Sequence, residues 1–224
     1  MRKPVAKTLL LAFVTAILLA PSAQAGEVVF APQNNPPNSD DGWQAGTCNT
    51  PTCAPDSPSA EFFETAAAHP PFGITQFIVK NDGGIAKRPQ VDIHNLRVDL
   101  PVGLSVNPGA TPQCKLDPGE HPDALTCEPA AAVGYSEITL SLSTILPPTT
   151  LPQIPVYNLV PKEGQPARFG FSVPNPVGTP SDVFLEADVA WESDFHEGFT
   201  IDIPKPPIPG AKLLMNRLVF NGRA

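Results

Sequence analysis

Four cysteines, four histidines and two tight groups of acids hold most of the chemistry available to this chain of 224 residues. Cys48 and Cys53 lie five positions apart, and Cys114 and Cys127 thirteen. In an oxidising compartment an even number of cysteines reads as disulfides. Of the three possible pairings, Cys48 with Cys53 and Cys114 with Cys127 is preferred, because each pair brackets a polar, Pro-rich loop and needs no long-range closure. A loop of the larger size contributes about 3 kcal/mol by the chain-entropy argument. Neither pair has the C-x2-C spacing of a zinc site.

The densest ionisable run is Glu192-Ser193-Asp194-Phe195-His196-Glu197. Glu192, Asp194, His196 and Glu197 are candidate ligands for a hard cation such as Ca2+, which takes carboxylate and carbonyl oxygens. The plainer reading, adopted here, is a solvated hairpin loop in which Ser and Asp satisfy nearby backbone groups. Asp117, Glu120, His121 and Asp123 form a second group inside the Cys114–Cys127 loop, again read as solvated polar surface. His69, His94, His121 and His196 fall in no H-E-x-x-H or H-x-H pair. A G-x-S-x-G nucleophile elbow is absent, and cysteines engaged in disulfides are not nucleophiles. No catalytic residue, resident metal or cofactor is therefore expected.

The elements that position these groups follow from composition. The chain has 30 Pro and 16 Gly, together about a fifth of it, against roughly 12% in average proteins. Proline in a helix interior costs about 3 kcal/mol, so a helical protein is excluded. With 42% hydrophobic and 16% charged residues, full disorder is excluded as well. Arg2, Lys3 and Lys7, the apolar run Thr8 to Ala20 and Ala23-Gln24-Ala25 have the layout of a cleaved signal peptide over residues 1–25. Its apolar run is shorter than the roughly 20 residues a membrane span needs. Without those three cations the 14 basic residues fall to 11, against 22 acids. Nucleic acid and anionic membranes both require basic surface, so neither is an expected partner.

Residues 26–60, with proline clusters at Pro32 to Asn38 and Pro51 to Pro58, read as an extended arm stapled by the first disulfide. Residues 61–224 read as a β domain. Expected strands are Gly73 to Lys80, Val91 to Leu100 with a bulge near His94 to Leu96, Val133 to Ile145, Ile154 to Val160, Ala167 to Val173, Val183 to Trp191, Phe199 to Ile203 and Leu213 to Phe220. Asn81-Asp82-Gly83-Gly84 is a turn signal. About eight strands with turn chemistry between them predict an all-β fold: an Ig-like or jelly-roll-like antiparallel β-sandwich with a Pro-rich N-terminal arm. Phe169, Phe171, Phe184, Trp191 and Phe199 are assigned to the core. The proline tracts Leu146 to Pro152 and Pro204 to Pro209 are read as stiff connections that blunt sheet edges.

Two phrases carry a resemblance. Val98-Asp99-Leu100-Pro101-Val102-Gly103-Leu104-Ser105-Val106-Asn107-Pro108, followed by Cys114, Cys127 and Val133-Gly134, is the first. The second is Pro155-Val156-Tyr157-Asn158-Leu159-Val160-Pro161 with Gly164-Gln165-Pro166-Ala167-Arg168-Phe169-Gly170-Phe171. Together they resemble a repeat-type unit of large uncharacterised secreted bacterial proteins, actinobacterial in style, over about residues 65 to 220. The resemblance implies an exported β-sandwich unit, often one part of a longer chain, and brings no catalytic motif. The end at Asn221-Gly222-Arg223-Ala224, straight after a strand, fits a truncated chain and a natural edge-strand terminus equally. The function expected is a secreted, non-catalytic module with a structural or adhesive role at the cell surface or envelope, its partner an unidentified extracellular protein or glycan. The rival is a carbohydrate-binding or glycan-active domain. An exposed Trp43 or Trp191 in line with other aromatics would favour that rival.

Overall fold

A computed structural model describes residues 42–54, 57, 59–115, 125, 127–175, 179–191, 193–203, 206 and 208–222. The expected signal peptide and the arm up to residue 41 lie outside these residues. The described chain is all-β. Its strands are β1 (Gly42–Cys48), β2 (Phe72–Ile78), β3 (Asn95–Asp99), β4 (Ala132–Ser141), β5 (Thr149–Thr150), β6 (Ile154–Asn158), β7 (Arg168–Val173), β8 (Ser181–Val189), β9 (Glu197–Asp202) and β10 (Lys212–Asn221). All pair antiparallel in one sheet of order β1-β2-β10-β4-β6-β7-β8-β9-β3, with β5 set beside β4.

A single sheet can bury one face without a second layer only by folding over on itself. β10 and β7 stand three ladder steps apart, about 14 Å in a flat sheet. Yet the rings of Phe220 on β10 and Phe169 on β7 are 5.1 Å apart. The antiparallel all-β expectation holds, and the sheet is curled into a half-barrel. Register shifts between Leu213 and Met215 on β10, and between Ala132 and Gly134 on β4, place bulges where the bend is needed. The concave face gathers alternate residues of each strand, among them Ile138, Val156, Phe169, Leu185, Phe199 and Leu218.

Three sequence expectations change. β1 belongs to the sheet, since all seven of its residues pair with β2; residues 42–48 are thus an edge strand and not part of a detached arm. β3 begins at Asn95, and its register against β9 is unbroken. The apparent phase switch near His94 marks the strand's start and not a bulge. β8 ends at Val189, which releases Trp191 from the core. The turn at residues 81–84 is present. Gly83 and Gly84 donate backbone N–H groups to the Asn81 and Asp82 side chains at 2.9 and 3.0 Å, and Gly83 has φ of 70°.

Both expected disulfides form, Cys48–Cys53 and Cys114–Cys127. The first lies against Ile74 and Val219 on the convex face, forming a second, smaller cluster. Arg217 on β10 ties its loop down, donating to the carbonyls of Pro51 at 2.9 Å and Cys53 at 2.7 Å. The second disulfide anchors a segment that Asn158 also holds. The Asn158 amide nitrogen donates to the Pro108 and Thr111 carbonyls at 2.8 and 3.0 Å, and Cys114 N–H donates to the Asn158 carbonyl at 2.8 Å.

The bend on β4 demands a residue without a side chain. A Cβ at Gly134 would sit 1.9 Å from the carbonyl oxygen of Val219, whereas one at Gly73 would meet only Phe220 Cβ at 3.9 Å. Gly134→Ala should therefore lose about 3 kcal/mol by forced backbone displacement, while Gly73→Ala stays near wild type. Urea unfolding of both variants checks this, and equal midpoints would refute the bend as described.

Candidate functional site

The alternation of β3, β8 and β9 sends apolar residues inward and a set of charges outward at one end of the sheet. Asp99, Gly198 and Asp188 stand side by side across the three strands. The glycine leaves room for the Arg97 guanidinium, which crosses above it; a Cβ at Gly198 would meet Arg97 Nη2 and Asp99 Oδ1, each at 2.5 Å. Arg97 Nε donates to Asp99 Oδ1 at 2.8 Å, and its two terminal nitrogens donate to both Asp188 oxygens at 2.9 and 3.1 Å. This bidentate pairing fixes the guanidinium plane.

His196 extends the cluster into the β8–β9 loop. Its Nδ1 hydrogen-bonds to Asp194 Oδ1, and its Nε2 lies 3.2 Å from Asp99 Oδ1. Ionised carboxylates only accept, so both ring nitrogens must carry protons for both bonds to form. The hydrogen bond that the ring donates to Asp194, reinforced by Asp99, accordingly holds the imidazole above its ordinary pKa of 6.5. The same bond holds the Asp194 carboxyl below its ordinary 3.8.

The loop is closed by backbone bonds. The Ala190 carbonyl accepts from Ser193 and Phe195 N–H at 3.2 and 3.3 Å, and Ala190 N–H donates to the His196 carbonyl at 3.0 Å. Phe195 is held at φ of 61°, in the left-handed region that bulky residues avoid. On this frame Trp191 and Phe195 are 72% and 64% exposed. Their rings meet edge to face with centroids 6.2 Å apart. Trp191 is thus a surface residue, unlike Phe169, Phe171 and Phe199, which are buried as expected. Phe184 is half-buried under the Arg168 guanidinium, 4.5 Å from its ring centre.

The candidate cation ligands divide. Asp194 and His196 share the convex side, and Glu192 lies outside the described residues. Glu197, one residue after His196, points to the opposite face of β9, where it is 5% exposed. Its Oε2 accepts from Val106 N–H at 3.0 Å, and its Oε1 has no hydrogen-bond partner. Burial pushes the Glu197 carboxyl above its ordinary pKa, against the Val106 bond. Among the described residues no three His, Cys, Asp or Glu side chains are grouped to hold a metal ion. The acidic group at 117–123 lies outside the described residues. The sequence does not single out Arg97, Asp99 and Asp188, since the contacts that bring Asp188 to Arg97 and His196 to Asp99 span more than ninety residues; the polar alternation of Asn95, Arg97 and Asp99 is the available signal. No protein-family model, curated protein or solved structure matches this chain.

The network makes the loop pH-dependent. His196 has a raised native pKa, so its contribution is complete below about pH 6.5 and fades as pH rises through the native value. Asp194 has a lowered one, so its contribution is present above about pH 3.9 and is lost as pH falls through the native value. His196 ring resonances should titrate above the ordinary value, and Asp194→Asn should bring that midpoint down. An unshifted midpoint in the wild type would refute the bridge.

Glu197 behaves in the opposite sense to Asp194. Its raised pKa means the native state is penalised as pH climbs past the ordinary carboxyl range. Glu197→Gln should therefore melt no lower than wild type at neutral pH and gain less near pH 4. Calorimetry at the two pH values checks this; a large loss at neutral pH would show that the negative charge is needed.

Proposed function

We propose that the protein is an exported, non-catalytic binding module with a structural or adhesive role at the cell surface or envelope, and that the β8–β9 loop is its contact end. The observation that carries this is the pair Trp191 and Phe195. Two large aromatics stand in solvent on a loop tied down by Asp99, Asp194, His196 and Arg97. Exposed aromatic anchors on a rigid frame are what binding surfaces use. The unfavourable backbone of Phe195 is retained at a site where nothing in the packing requires a ring, which points to function.

In this reading the folded-over sheet works as a jelly-roll-like sandwich does, with one apolar interior and recognition at the strand ends. The two disulfides are compatible with an extracellular location. The resemblance to repeat units of secreted bacterial proteins supports a place within a larger surface assembly.

A glycan is the second reading, favoured by a specific feature. The loop that exposes Trp191 also carries Asp194, so that a sugar ring could stack on the indole while its hydroxyls donate to a carboxylate of the same loop. Trp191→Ala and Phe195→Gly should each weaken binding to envelope preparations or to an arrayed glycan by about tenfold or more. Neither should lower the unfolding midpoint, and Phe195→Gly should raise it by relieving the left-handed strain. Binding unchanged in both variants would sink the assignment.

A further inference from the structure

Inside the curl of the sheet lies a cavity of about 770 Å3. One wall comes from Leu218 and Ile138 on β10 and β4, the other from Val98 and Phe199 on β3 and β9, with Phe169 and Leu185 between them. This volume falls within the roughly 300–1,000 Å3 of small-molecule sites. It is many times the volume of a water, and apolar side chains make up most of its lining, with polar groups such as Thr47, His69, Ser105, Asn107 and Asn216 among them. One polar atom at its border is unsatisfied: Thr75 Oγ1, on β2, is buried without a hydrogen-bond partner.

Charge narrows the occupant. Among the described lining residues no Lys or Arg is present, His69 is solvent-exposed, and the acid, Asp99, is committed to Arg97 and His196 on the convex side. A carboxylate or phosphate placed among the apolar walls would therefore be desolvated with no Lys or Arg to offset it. A hydrocarbon chain is matched by the walls, and a single hydroxyl or ester is matched by Thr75.

We propose that the concave cavity is a binding site for a neutral single-chain lipid, whose hydrocarbon lies against its half-buried apolar residues, Leu96, Val98, Leu213 and Phe220 among them, and whose hydroxyl or ester hydrogen-bonds to Thr75 Oγ1. Neither Trp191 nor Phe195 lines this cavity, so the failure of one assignment leaves the other standing.

The test uses the whole exported chain, stripped of bound lipid, and the neutral fluorophore N-phenyl-1-naphthylamine as reporter. The fluorophore should brighten on binding. Dodecanol should displace it at least tenfold more effectively than dodecanoate at neutral pH. Thr75→Val should leave fluorophore binding intact and weaken displacement by dodecanol several-fold. Val98→Trp, which fills the cavity from its β3 wall, should abolish the signal while circular dichroism stays that of the wild type. If Val98→Trp fails to fold, Thr75→Val still decides. Absence of brightening in the wild type, equal displacement by dodecanol and dodecanoate, or unchanged displacement in Thr75→Val would each overturn the proposal. So would a signal that vanishes as the chain self-associates in sedimentation, which would make the concave face an interface between two copies.

Discussion

Phe169 on β7 meets Phe199 on β9 at 5.8 Å and Phe220 on β10 at 5.1 Å, and the rest of the molecule depends on how one sheet brings these three rings together. Apolar burial contributes about 25 cal/mol per Å2, and a lone sheet can collect it on one side only by bending. The bend dictates the bulges, the bare Gly134 under Val219 and the order in which the strands stand. It also explains why the interior is not fully closed by side chains. A curl of nine strands in sequence has a wider bore than two sheets packed about 10 Å apart.

The convex face meets the opposite problem. With no second layer above it among the described residues, its apolar residues must be few or locally covered. At one end the Cys48–Cys53 loop lies over Ile74 and Val219, pinned by Arg217. Over β7 and β8, Arg168 covers the Phe184 ring. At the far end the surface is given to charge, with Arg97 shared between Asp99 and Asp188. Exposed pairs of this kind add little to stability. Their work here is to hold the β8–β9 loop in one shape.

Much of this architecture was legible in the chain because period-two patterning is a strong signal. Ala167 to Val173 and Leu213 to Phe220 are strands for the reasons their residues suggest, and the strand expected over Val133 to Ile145 stops at Ser141. Gly42-Trp43-Gln44-Ala45-Gly46-Thr47-Cys48 is a strand for a different reason. It lacks β-branched alternation, and pairing with β2 along its whole length overrides its weak local preference. Closure into a half-barrel was not legible, because register and curvature are set by contacts between residues far apart in sequence. At the site, the run Glu192 to Glu197 is dense in charge in the sequence, but β9 begins at Glu197, so His196 and Glu197 point to opposite faces. Trp191 was given to the core because β8 was extended two residues too far. The disulfide pairing was readable, since short polar loops leave little else for their cysteines to do.

The place of β10 in the sheet has a kinetic meaning. It is the last described strand in the chain, yet it lies between β2 and β4 and pairs with both. Until it arrives, β1 and β2 form a two-stranded ribbon with no connection to the other strands, and such hairpins are marginal in water. A sheet joined up only when β10 arrives has high contact order and folds slowly. During synthesis the strands before β10 therefore stay open and threadable, and the sheet closes only after β10 has been delivered.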